Sequence, residues 1–254
     1  MSRNFELLQS LGKEGALLEP GAVAEPKITP SLAPEPITAE PQLKLEPMER
    51  EELAKLVQRV FLLPGGEASR VVVFAATESG NGSSWIVART AELLAAQVGG
   101  TVWLVDANLR NPELHRQFSV ENQYGLADAL RGPDPIGSYA QTLSRPNLRL
   151  LSSGSAPETA LSLLSSERMR QRIAEMRSET DYVLIDAAAL NVANDATALS
   201  AAADGVVMVL KANSSRRESA RKTLQDLQTA NVRVLGAVLN QRTFPIPEAI
   251  YNRL

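Results

Sequence analysis

"VVVFAATESGNGSSWIVART", residues 71–90, decides how this chain is read. Residues 71–75 are an unbroken apolar run, the pattern of a strand over 71–76 buried on both faces. Residues 86–94 return apolar side chains at helical spacing. Between them lies the glycine-bearing turn "ATESGNGSSW", residues 76–85. Strand, turn and helix in that order frame a phosphate-binding loop, G-x-x-x-x-G-K-[ST]. The N–H groups of such a loop and of the helix behind it cradle an anion, and small residues let phosphates approach. Here Ser79, Gly80, Asn81 and Gly82 make the turn, and Ser84 holds the position whose hydroxyl would bind Mg²⁺. Ser83 stands where the lysine belongs.

Working outward, apolar strand patterns fall at 101–106, 148–151, 181–186, 205–211 and 233–239. Helical patterns alternate with them, over "EREELAKLVQRVF" (49–61), from the loop to about 97, and near 166–178, 193–203 and 215–230. This alternation predicts an α/β fold, P-loop NTPase-like, with a mostly parallel sheet and helices on both faces. In such sheets ligands bind outside the carboxyl ends of the strands. The loop, Asp106 and Asp186 all converge on that edge. Carboxylates there are suited to hold a metal ion or its waters, or to accept a hydroxyl proton.

Composition narrows the chemistry. The 254 residues include no cysteine and a single histidine, His115, which excludes disulfides, thiol catalysis and a histidine metal cluster. A net charge of −3 gives no reason to expect nucleic-acid binding. No apolar stretch is long enough to span a bilayer, so a cytoplasmic protein is expected, with any membrane contact made through a partner. Residues 19–47 carry seven of the fifteen prolines among Ala and Glu, a composition expected of a disordered linker. Before it, residues 1–18 place Phe5, Leu7, Leu8 and Leu11 near one helical face, readable as a short docking helix or as a frayed terminal one. The main domain is expected over 48–254.

At Asp106 the sequence becomes specific. "VWLVDANLRNPELHRQF" (102–118) resembles the second phosphate-site motif of bacterial tyrosine kinases, the P-loop kinases of capsule and exopolysaccharide synthesis. "YGLADALRG", "LRLLSSGSAPETALSLLSSERM", "DYVLIDAAAL" and "VLGAVLN" follow in the family's order, so the resemblance covers about residues 50–245. It implies that Asp106 and Asp186 are the catalytic carboxylates, that Ser84 joins them around Mg²⁺, and that residues 79–84, Arg110 and Asn240 meet ATP. It also implies an oligomerisation helix, where Glu52, Lys55 and Gln58 fill the E-x-x-R-x-x-R positions. Tyr251 stands alone where the family has a C-terminal tyrosine cluster for autophosphorylation.

The departures gather at the chemical positions. Lysine is Ser83, the second carboxylate of the D-x-D pair is Asn108, and the residues after Asp186 are Ala187, Ala188 and Ala189. Where related partitioning ATPases carry a second lysine, Glu78 stands, and no lysine occurs between Lys55 and Lys211. A charge-assisted hydrogen bond contributes about 1.5–3 kcal/mol, roughly ten- to a hundredfold in affinity. ATP and Mg²⁺ are therefore expected to bind weakly or not at all, and phosphoryl transfer is expected to suffer more. The resulting expectation is a degenerate kinase-like protein with a regulatory or assembly role in exopolysaccharide biosynthesis and export. Its partners would be a membrane-embedded copolymerase or export protein, a competent kinase paralogue, or further copies of itself. The rivals are an active ATP-dependent tyrosine autokinase and a ParA/MinD-type positioning ATPase.

Overall fold

A computed structural model describes residues 45–62, 69–155, 158–192 and 194–241. The predicted N-terminal helix, nearly all of the predicted linker, and Tyr251 lie outside them. Within them the predicted alternation is present: α1 (Pro47–Phe61), β1 (Val71–Ala76), α2 (Ser83–Gln97), β2 (Val102–Asp106), α3 (Leu114–Gln117) and α4 (Leu126–Arg131) come first. A 3₁₀ turn, β3 (Gln141–Thr142), β4 (Leu148–Leu151), a second 3₁₀ segment and α5 (Glu167–Glu179) follow. The chain continues through β5 (Tyr182–Ala187), α6 (Asp195–Ala202), β6 (Gly205–Lys211), α7 (Arg217–Thr229) and β7 (Val234–Asn240).

The strands form one seven-stranded sheet in the order β3-β4-β2-β5-β1-β6-β7, parallel except for the β3–β4 pair. Strand alternation divides the core into two layers. Val71, Val73 and Ala75 point to one face with Trp103, Val105, Val183 and Ile185, where Leu126, Met169, Ile173, Met176 and Leu199 cover them. Val72 and Phe74 point to the other with Leu104, Leu184 and Val207, beneath Leu53 and Val57 of α1 and Ile86, Val87 and Leu94 of α2. Every residue of β1 is buried, as a central parallel strand requires. Pro47 opens α1, where its missing N–H costs nothing, and the Glu46/Glu49 capping box holds the entry.

This order places β1 between β5 and β6, with β2 next to β5. The β1–α2 loop and the ends of β2 and β5 therefore meet at one edge of the sheet. Among the described residues no helix is long and apolar enough to cross a membrane.

Candidate functional site

The loop has the backbone of an anion cradle. Gly80 and Gly82 adopt φ of 82° and 83°, in the left-handed region that glycine enters without strain. Gly82 also caps α2, whose first turn carries no acidic residue. The first N–H groups of a helix have no intrahelical partner, so this end is electropositive and open to an anion.

Asn81, almost fully buried, fixes the loop. Its side-chain amide donates to Thr77 Oγ1 (3.1 Å), Ser215 Oγ (3.2 Å) and the Val209 carbonyl (3.4 Å). The Asn240 amide donates in turn to the Asn81 carbonyl at 2.9 Å. Asn240, for which the resemblance implied contact with a base, thus latches β7 to the loop. It lies so close to Gly82 that a Cβ there would collide with its Nδ2. Ser79 and Gly80 are exposed at the loop tip.

Ser83 and Ser84 turn inward. Ser84 Oγ donates to Asp186 Oδ2 at 2.5 Å and Ser83 Oγ donates to Asp186 Oδ1 at 3.2 Å. The side chain at the lysine position is therefore a short hydroxyl bound to the carboxylate of β5. It carries no positive charge to offer a phosphate.

Asp106 and Asp186 are register neighbours across β2 and β5, and both are fully buried. Asp106 accepts from the N–H groups of Asn108 (3.2 Å), Glu113 (3.2 Å) and Leu114 (3.1 Å). Burial nevertheless pushes its carboxyl up to about 7. Asp186 is raised well above the ordinary carboxylate range, by burial first and then by the charge of Asp106, against the pull of the two serine hydroxyls. Two buried carboxyls side by side resist double ionisation, and a bound cation would relieve that.

The remaining predicted positions divide. Arg110 is exposed and paired with Asp195 Oδ2 at 3.2 Å, so its charge is engaged at the start of α6. Asn108 Oδ1 accepts from the Asn111 N–H at 3.4 Å, a turn-forming role. Ala187, Ala188 and Ala189 are buried and supply an apolar wall after Asp186. Glu52, Lys55 and Gln58 share the exposed side of α1, away from the loop's polar network, and Lys55 bridges Glu51 (2.8 Å) and Glu52 (2.9 Å) within the helix. Thr77, Ser215 and Asp195 belong to the site's polar network and went unread in the sequence. Asp195, an acid opening a helix, offered a signal; Thr77 and Ser215 offered none.

The residues present fit part of a Mg-nucleotide. The loop backbone, the α2 N-terminus, Ser84, Asp106 and Asp186 are placed to hold phosphate and metal. The cation that would balance them is missing from the loop itself.

A glycine loop between β1 and α2, with strand-end aspartates on β2 and β5, defines a P-loop NTPase-like protein. The chain is 34% identical over 161 residues to the tyrosine-protein kinase YwqD of Bacillus subtilis, covering 63% of this chain and 68% of that protein. It therefore belongs to the bacterial tyrosine kinase family. It is 32% identical over 179 residues to the succinoglycan biosynthesis transport protein ExoP of Rhizobium meliloti, covering 69% of this chain and only 23% of that longer protein. The kinase domain of the Escherichia coli tyrosine kinase Etk shares the fold at a TM-score of 0.68 and 20% identity, over 79% of this chain and 78% of that domain. No protein-family model matches the chain.

Proposed function

We propose that this protein is a degenerate member of the family, a regulatory or assembly component of exopolysaccharide or capsule biosynthesis and export rather than an efficient kinase. The observation that carries the reading is Ser83. In the lysine position, its hydroxyl is spent on Asp186 at 3.2 Å. Asn108 takes away the second carboxylate of the family's D-x-D pair, and the three buried alanines leave an apolar wall after Asp186.

The physical consequence is a change in the site's charge balance. Phosphoryl transfer is catalysed almost entirely by positioning and by stabilising charge on the moving group. Here two raised carboxyls face the loop and Arg110 is held by Asp195. Nucleotide with Mg²⁺ is held weakly or not at all, by backbone N–H groups and Ser84. The fold meanwhile presents intact surfaces, including the exposed Glu52/Lys55/Gln58 stripe of α1, through which the protein joins its own copies or a competent paralogue. It works in the cytoplasm, recruited to the membrane by an embedded copolymerase or export protein.

Calorimetric titration of the purified protein with Mg-ATP tests this. Ser83→Lys should tighten binding by roughly ten- to a hundredfold, more when Glu78 is also neutralised. Tight, low-micromolar binding by the unmodified protein would favour the active autokinase.

A further inference from the structure

At the β3 edge of the sheet, the stretch from 121 to 141 forms an open cleft of about 380 Å³, within the size range of small-ligand sites. Its lining includes Glu121, Tyr124, Asp134, Ser138, Tyr139 and Gln141, and no lysine or arginine. We propose that this cleft binds a basic peptide segment of another protein, taking a lysine or arginine side chain against its tyrosine rings and its two carboxylates.

Three features carry the inference. First, neither Glu121 nor Asp134 is in an ion pair among the described residues, so both carboxylates are free to meet a cation. Second, Tyr124 is 66% exposed, an aromatic ring of the kind that attracts a cation to its face. Third, the floor is rigid. Arg149 donates to the carbonyls of Gly137 (2.8 Å) and Ala140 (3.0 Å), and Arg168 donates to that of Gly132 (2.7 Å). Arg172 donates to those of Gly132 (3.0 Å) and Asp134 (2.7 Å), and is paired with Glu175 at 2.6 Å. These guanidiniums are spent on main-chain carbonyls and none of them lines the cleft, whereas Glu121 and Asp134 do.

The walls are also cross-linked. Gln141 donates to the Glu121 carbonyl at 2.9 Å, and Tyr139 Oη donates to Asp134 Oδ2 at 3.2 Å, leaving Oδ1 for a ligand. A preformed cleft loses little entropy on binding. A neutral ligand would leave two carboxylates partly desolvated and unpaired, whereas a cation satisfies them. Two carboxylates are too few for a dedicated divalent-metal cage, and the rings suit the apolar stem of a long basic side chain.

The test uses the full-length protein and a fluorescein-labelled Gly-Arg-Gly-Arg-Gly-Arg peptide, followed by anisotropy at about 0.15 M salt. The arginine peptide should bind, and its Gly-Glu counterpart should not. Tyr124→Ala, Glu121→Gln and Asp134→Asn should each weaken binding by about fivefold, and Glu218→Gln on α7 should leave it unchanged. Tyr124 is exposed enough that its removal leaves the fold intact, so this variant decides the matter if Asp134→Asn disturbs the loop. No binding, equal binding of the acidic peptide, or equal weakening by Glu218→Gln would overturn the proposal.

Discussion

Replacing Asp186 with asparagine should stabilise the protein at mildly alkaline pH, the reverse of the usual cost of disturbing a buried polar group. Asp186 and Asp106 are fully buried neighbours on β5 and β2. Burial lifts Asp106 from 3.8 to about 7, and Asp186 is raised by burial and by the charge of Asp106. A carboxyl whose folded pKa exceeds its unfolded value binds more protons when folded, so stability falls as pH rises between the two values. For Asp106 that window opens at 3.8 and closes at about 7. That penalty on Asp106 comes from burial and persists in the variant; what the substitution removes is the penalty carried by Asp186 itself, whose window opens at 3.8 and extends well above it. Asparagine removes the charge and keeps one oxygen to accept from one serine hydroxyl, while its NH₂ meets the other serine oxygen as a donor. The expected gain at about pH 8 is about 1.4 kcal/mol for each pKa unit by which Asp186 is raised, less about 1 kcal/mol for imperfect hydrogen bonds, and it vanishes near pH 4. Urea denaturation followed by tryptophan fluorescence, extrapolated linearly at several pH values, measures this difference directly. A variant less stable than its parent at pH 8, or a difference independent of pH, would refute the reasoning.

Other outcomes follow from single contacts. Gly82→Ala should destabilise the protein by roughly 1–3 kcal/mol in the same assay, because its φ of 83° strains an L residue and its Cβ meets Asn240. Asn81→Ala leaves Thr77, Ser215 and the Val209 carbonyl without their shared donor while the residue-81 carbonyl still accepts from Asn240; about 1–3 kcal/mol of stability and slower amide exchange at the loop should be lost together. Asp195→Asn should free Arg110 and, in the Ser83→Lys background, change Mg-ATP affinity measurably by calorimetry; no change would place Arg110 out of reach of the phosphates. The composition of residues 19–47 predicts that limited proteolysis cuts there and releases a stable fragment beginning near Met48, and a chain uniformly resistant there would contradict it.

Much of the fold was legible because its strands are long and apolar on both faces. β1, β4 and β6 have the predicted bounds, and β2, β5 and β7 lie within a residue of them. What escaped was too short to carry a period: α3 and α4, the two 3₁₀ segments and the two-residue antiparallel β3. These are held by tertiary contacts, such as the arginines that bind the loop from Gly132 to Ala140 through its carbonyls. In the site, strand ends marked Asp106 and Asp186, and glycines marked the loop. Their hydrogen bonds were not readable, since Asn81 meets Ser215 across 134 residues of chain and Ser83 meets Asp186 across 103. The missing lysine was visible in the sequence. That its replacement bonds to Asp186 needed the fold.

The most direct measurement is made in cells. Asp186→Asn would disable an active kinase, while the physical reasoning above has it keep or gain stability at neutral pH. With protein level and folding verified, the host strain carrying it in place of the parent gene should make the same amount of extracellular polysaccharide. Substitutions on the Glu52/Lys55 face of α1 should reduce that amount. If Asp186→Asn abolished output while the protein stayed folded and abundant, phosphoryl transfer would be what the domain supplies, and the degenerate, scaffolding role proposed here would be wrong.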